Sequence, residues 1–169
     1  YWEDTSNIRG KHCNFFFQKK LTFSKSKTDF KNLGWIHRDA IPDRNRLSGV
    51  IYLTPDANLK NGTTVYRIKK EVEESLSGQV AWKKLNKSNE LLFTKDDEYF
   101  SKDGLEEIKT RLEEWNSCFE AVTQVNNIYN RLISFCGNDW HAATNSYTGD
   151  QERLSLVYFI DNVKGATMP

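Results

Sequence analysis

Histidine, cysteine and proline each occur only three times in the 169 residues, and methionine once. The cysteines, Cys13, Cys118 and Cys136, are odd in number and widely scattered. That excludes a disulfide framework and a CxxC zinc site, and it predicts a reducing, cytoplasmic location. No apolar run approaches the ~18 residues of a membrane span. Neither sign of charge dominates: 24 basic side chains against 23 acidic ones leave a formal net charge of +1. The strong electrostatic footprint of a nucleic-acid or membrane-surface protein is therefore missing. Internal repeats and low-complexity tracts are absent as well. What is present is 38% hydrophobic and 13% aromatic residues, enough for one well-cored domain spanning 1–169. The chain opens on Tyr1 rather than Met, which predicts a trimmed N-terminus.

The hydrophobic period changes along the chain. Between residues 15 and 23 the apolar side chains Phe15, Phe17, Leu21 and Phe23 alternate with Gln18, Lys20 and Thr22. That pattern predicts a half-buried strand with the phenylalanines inward. Short β-like runs follow at 35–37, 47–53 and 63–68, separated by turn clusters at 42–45 and 55–62. Residues 69–76 form a short helical pattern, and 79–94 is ambiguous, with one strand expected near 90–94. The best helix comes next: Asp103 can cap it with Glu106 three residues on, and Leu105, Ile108, Leu112, Trp115, Phe119 and Val122 share one face. A helix packed on a sheet is the plain explanation of that stripe. Strands return at 131–136, 140–145 and 153–160. The sum is a mainly β barrel or jelly roll with flanking helices and a helical insertion at about 69–127.

The scarce histidines carry the chemistry. His37 and Asp39 stand two apart at the end of a β run, where i and i+2 side chains share a face. His141 lies in another predicted strand. Two imidazoles and a carboxylate on one side of a metal form the facial arrangement of non-haem Fe(II) oxygenases. A structural zinc site fits poorly, because such a set leaves zinc an open position. Asp139 also stands two from His141, but it belongs to a Gly-Asn-Asp turn. His12 has no partner pattern, and Cys136 reads as a structural thiol. Alternation turns Trp140 away from His141 and gives Trp35 the parity of His37, as a candidate cavity wall. In the run from Arg153 to Ile160, Arg153 and Ser155 begin one face of a strand apolar on both sides. A guanidinium there either pairs with one of the protein's own carboxylates or clamps a ligand carboxylate. Asn61-Gly62-Thr63 and Asn86-Lys87-Ser88 fit the glycosylation sequon, which matters only in a secreted protein.

The ordered set Trp35-Ile36-His37-Arg38-Asp39, Leu47-Ser48-Gly49-Val50-Ile51-Tyr52-Leu53-Thr54, Asn61-Gly62-Thr63-Thr64-Val65-Tyr66, Arg131-Leu132-Ile133-Ser134-Phe135, Trp140-His141-Ala142-Ala143 and Arg153-Leu154-Ser155 resembles a known superfamily. It is similar to the 2-oxoglutarate- and Fe(II)-dependent dioxygenases, in particular the prolyl-4-hydroxylase-like branch. The resemblance covers about residues 35–67 and 131–161 and implies a double-stranded β-helix. It implies that His37, Asp39 and His141 bind iron, and that Arg153 pairs with the distal carboxylate of 2-oxoglutarate, with Ser155 beside it. Tyr52 would reach the same carboxylate, or else packs in the core with its hydroxyl satisfied by a neighbour. Asn61-Gly62 stands where the family often has paired glycines.

The activity so implied is hydroxylation of a substrate with release of succinate and CO2, using O2, with ascorbate in support. The Asp39 carboxylate favours hydroxylation over halogenation. The branch suggests a peptidyl or free amino acid, proline among them, and a small metabolite is equally open; no nucleic acid or membrane partner is indicated. Arg38 points away from the triad, whereas the loop 41–46, with Arg44 and Arg46, is expected at the mouth. The rival from another class is a non-catalytic cupin-like module that binds metal or ligand without turnover.

Overall fold

The computed structural model describes residues 8–9, 13–20, 34–39, 46–75, 102–144 and 153–161. It is mainly β, as the alternating patterns predict, with two antiparallel sheets. Strands β1 (Ile8–Arg9), β2 (Cys13–Lys20), β3 (Arg46–Tyr52), β6 (Leu132–Cys136) and β8 (Arg153–Asp161) form the larger sheet, in the order β1-β2-β8-β3-β6. The smaller sheet has the order β5-β4-β7, from β4 (Thr63–Ile68), β5 (Phe119–Val125) and β7 (Trp140–Ala143). His37 adds an isolated antiparallel bridge to His141 of β7. Helix α1 (Lys70–Ser75) follows β4, and helix α2 (Lys102–Ser117) precedes β5. No helix among the described residues is long and apolar enough to cross a membrane. The expected strand at 90–94 and the turns at 42–45 and 146–151 lie outside the described residues, as do His12, Arg44 and the second sequon.

The register of β8 decides which side chains meet inside. Val157 lies opposite Phe16 of β2 and Val50 of β3, and Ser155 lies opposite Gln18 and Tyr52. Residues opposite one another in an antiparallel pair share a face. Phe16 and Gln18 therefore point inward with Arg153, Ser155 and Val157. This reverses the predicted orientation of β2. Phe15 instead meets Tyr158 on the outer face, with ring centroids 6.0 Å apart, and Phe17 is 46% exposed. The reversal has a physical cause: the inner face borders a cavity with polar walls, so Gln18 belongs there as well as any phenylalanine. Alternation gives the period but not its phase when both faces carry aromatic rings.

The predicted helix also ends earlier than its apolar stripe. After Ser117 the Cys118 amide bonds to the Trp115 carbonyl, and the Cys118 carbonyl accepts the Lys69 amide. That second bond starts the β4–β5 ladder, in which Phe119 opposes Ile68. Val122 is thus a strand residue, 56% exposed, and not part of a helical face. Cross-strand pairing overrides the helical spacing, since β5 is rich in strand-favouring residues and has β4 alongside. Asp103, expected as the cap, lies within the first turn of α2. The helical insertion between β4 and β5 consequently closes before Phe119.

A compact apolar cluster fastens α2 to the smaller sheet: Trp35, Ile36, Leu112, Trp115, Phe119 and Ala142, with Trp140 and Tyr66 against it. Trp115 and Phe119 both contact the Trp140 ring, at centroid distances of 5.7 and 4.9 Å. Trp140 therefore packs on the helix side, as its alternation predicts, and the Arg38 guanidinium caps it 4.1 Å from the ring centroid.

Two glycines permit close approaches. At Gly49 the Tyr158 ring crosses β3 where a Cβ would stand, and its hydroxyl hydrogen-bonds Ser134. At Gly62 a Cβ would collide with the Val125 carbonyl oxygen. Backbone cannot yield as a side-chain tip can. Gly62→Ala is therefore expected to cost about 3 kcal/mol, the upper end for overpacking, read as a lower urea midpoint at unchanged slope. An unaltered midpoint would mean that the β4–β5 connection adapts freely.

Candidate functional site

His37, Asp39 and His141 converge at one side of the space between the sheets. Their ligand-type atoms all lie within 4.8 Å of one another. His141 Nε2 stands 3.2 Å from Asp39 Oδ2, and His37 Nε2 stands 3.7 Å from Oδ1. The two histidines are fixed by a reciprocal pair of backbone bonds, His37 N–H to His141 O at 3.0 Å and His141 N–H to His37 O at 2.9 Å.

Each imidazole is also oriented by its other nitrogen. His37 Nδ1–H donates to the Trp35 carbonyl at 2.9 Å, and His141 Nδ1–H donates to the Asp139 carbonyl at 3.0 Å. A carbonyl can only accept, so each ring carries a proton on Nδ1. Nε2 is the nitrogen each ring turns toward the Asp39 carboxylate. Nε2 is thus the nitrogen each ring could offer a metal, with Nδ1 held by the type of outer contact that raises ligand basicity. The Trp35 ring stacks on His37 at 4.7 Å, and Phe135 lies 4.5 Å from His141. Trp35 braces the His37 ring and is not among the described residues that line the cavity, contrary to its expected role. Asp139 accepts the Cys136 amide through Oδ2 at 3.1 Å and stays a turn residue.

Helix α2 holds the His37 segment in place. Trp115 Nε1–H donates to the Ile36 carbonyl at 2.7 Å. The Asn116 carboxamide donates to Gly34 O at 3.0 Å and accepts Ile36 N–H at 3.3 Å. These side chains satisfy backbone groups of residues 34–36, so the helix helps to set where His37 enters the cavity. The asparagine looked ordinary in the sequence, one polar residue beside a helical stripe.

The cavity measures about 150 Å³, a size that accepts a benzene-sized ligand in an engineered core. Phe16, Phe135, Val157 and Phe159 give it apolar walls. Among the described residues its polar lining is the triad, Gln18, Thr63 and Arg153. Arg153 is only 4% exposed, with its guanidinium carbon 5.1 Å from the Tyr52 ring centroid. The triad and Arg153, far apart in the sequence, thus line one cavity. Tyr52 and Ser155 are fully buried on the same face of the larger sheet. Tyr52 donates its hydroxyl to Thr63 Oγ1 at 2.7 Å, and Ser155 Oγ has no hydrogen-bond partner among the described residues. Burial pushes the Tyr52 phenol up, only partly offset by the Thr63 hydrogen bond and by Arg153 and Arg131. It stays a neutral donor. Gln18 and Thr63 were not marked as site residues in the sequence; the inward phase of β2 is what would have exposed Gln18.

Other expectations resolve more simply. Arg46, expected at the mouth, is engaged with Asp161 and with the Asp39 carbonyl. Cys13, Cys118 and Cys136 are all free and half-buried, and the register puts Cys136 on the outer face with Leu47. Asn61 is 6% exposed, which disqualifies the first sequon as a glycan acceptor.

A family of unknown function (DUF6445) matches residues 18–155. The chain belongs to that family. No curated protein and no solved structure matches it. The segment matched to DUF6445 runs from Gln18 to Ser155, residues that face each other across β2 and β8, and it encloses the triad and Arg153.

Proposed function

We propose that this DUF6445 protein is an Fe(II)- and 2-oxoglutarate-dependent hydroxylase built on a double-stranded β-helix. The observation that carries the reading is the shared cavity: three convergent metal-ligand atoms and one buried guanidinium. The donor set fits a divalent first-row metal, with two imidazole nitrogens and a carboxylate leaving open positions opposite. Strand order supports the fold. Counting the His37 bridge as the fourth member of the smaller sheet, the chain passes from sheet to sheet as a jelly roll does, and β8 closes the larger sheet between β2 and β3.

Iron(II) held there would supply O2 chemistry, coupling decarboxylation of 2-oxoglutarate to succinate and CO2 with hydroxylation of a substrate C–H bond. The protein's own residues do the rest. His37, Asp39 and His141 fix the ligand atoms on one side. Arg153 supplies a cation for the far carboxylate, and Ser155 Oγ offers a hydroxyl two residues along the same strand face. Tyr52 orients Thr63 at the wall. A divalent cation would leave the cavity net positive once Asp39 and Arg153 are included, which suits a dicarboxylate. The phenylalanine walls exclude water around the reacting groups. The substrate class we favour is a peptidyl or free amino acid, proline included, or a small metabolite, and iron(II) with free thiols fits the cytoplasm.

Purified protein given Fe(II), ascorbate, O2 and 2-oxoglutarate is expected to release succinate even without its substrate, at a slow uncoupled rate. Succinate is quantified against an iron-free control. Bound iron with no succinate, and no oxygen-atom mass gain on candidate substrates, would instead favour a cupin-like binding module.

A further inference from the structure

Asp39 takes no part in the backbone bridge that joins His37 and His141 among the described residues. His37 and His141 fix each other through paired backbones, while Asp39 sits in a bend two residues past the bridge. Its amide donates to the Gly137 carbonyl at 3.0 Å, and the Gly137 amide donates in turn to the Arg46 carbonyl at 2.7 Å. A side chain from the start of β3 also holds its backbone. Arg46 Nη1 donates to the Asp39 carbonyl at 2.7 Å. The same guanidinium donates to Asp161, from Nε to Oδ1 at 2.7 Å and from Nη2 to Oδ2 at 3.1 Å.

We propose that Arg46, held in a two-pronged ion pair by Asp161, positions Asp39 as a metal ligand. This rests on the metal site proposed above. A bidentate arginine–carboxylate pair fixes the guanidinium plane as well as its position, so the third nitrogen is aimed with little freedom. Both partners are largely buried, with side chains 21% and 15% exposed, and the guanidinium carbon lies 5.1 Å from the centroid of the cavity-wall ring Phe159. An ion pair serving only to close the sheet would need Asp161 and β3. Here the remaining arm goes to the carbonyl of the metal ligand itself. The strap also ties Asp39 to β8, the strand that carries Arg153 at its other end. Arg46 and Asp161 are positioning residues: neither need touch metal or substrate.

The test titrates Mn(II) alone into full-length protein and records the thermal midpoint of each metal-free form. Wild type is expected to bind one equivalent. Asp161→Asn, which keeps the shape and removes the charge, and Arg46→Lys, which keeps the charge and loses the fork, should each bind Mn(II) about ten- to a hundredfold more weakly, the usual cost of losing an outer-shell contact. Arg46→Met should lose at least as much. Cooperative melting of metal-free Asp161→Asn near the wild-type midpoint keeps the affinity loss separate from misfolding. Wild-type affinity in Asp161→Asn and Arg46→Lys, with only the midpoint lowered, would overturn the proposal and reduce the pair to a sheet fastener. A wild-type protein that binds no Mn(II) would sink the metal site itself, and this inference with it.

Discussion

His141→Ala is expected to abolish metal binding. The substitution removes one of the three proposed ligand atoms and also the ring that packs against both Phe135 and His37. Losing an outer contact costs about ten- to a hundredfold in affinity, so losing a direct ligand should exceed a hundredfold. The cleanest reading is thermodynamic. Metal that binds only the folded state stabilises it, by about 2.7 kcal/mol at a hundred times the dissociation constant. Added Fe(II), kept anaerobic, should therefore raise the melting midpoint of wild type and leave that of His141→Ala where it was. Succinate release should vanish with it. Stoichiometric iron in the variant would mean that the wrong three residues have been chosen. A midpoint that fails to rise in wild type would remove the metal altogether.

The imidazoles stood out in the sequence because there were so few of them. With three histidines in the chain, His37 two residues before a carboxylate and His141 on a later strand left little room for chance. Local pattern also placed most strands, and β4 spans the same residues, Thr63–Ile68, as its alternation predicts. What local pattern could not carry is phase and partnership. Phe15 and Phe16 are equally good strand residues, and only the register with β8 says that Phe16 and Gln18 face the cavity. The spacing of Trp115, Phe119 and Val122 suits one long helix, yet the pairing of Phe119 with Ile68 turns the chain into a strand. The residues that steady the triad are the least legible of all. Asn116 reaches Gly34 across 82 positions, and Arg46 reaches Asp161 across 115. Side-chain chemistry names what such residues are able to bond, but only the folded register brings the partner within reach.

Arg153 provides the second large effect, and it separates cosubstrate from metal. The guanidinium is almost fully buried at the start of β8, on the face that carries Ser155 and Val157, and it lines the same cavity as the triad. A carboxylate taken out of water into apolar walls needs charge-assisted hydrogen bonds, each worth about 1.5–3 kcal/mol. Arg153→Lys keeps a cation but offers no planar fork. It should weaken 2-oxoglutarate by about ten- to a hundredfold, since each 1.4 kcal/mol is tenfold. Arg153→Met leaves the carboxylate buried without a counter-charge, a loss of about 3–5 kcal/mol, which puts half-saturation beyond usable concentrations. Neither change touches a proposed metal ligand, so Mn(II) titration should give wild-type affinity in both. The measurements are the 2-oxoglutarate dependence of succinate release and direct titration of the cosubstrate into the Mn(II)-loaded protein. Should Arg153→Met bind 2-oxoglutarate as wild type does, the guanidinium serves the fold, and a dicarboxylate must find its cation elsewhere. Should metal affinity fall in step with 2-oxoglutarate affinity, the substitution has disturbed the cavity as a whole, and Arg153→Lys then decides whether a charge alone restores it.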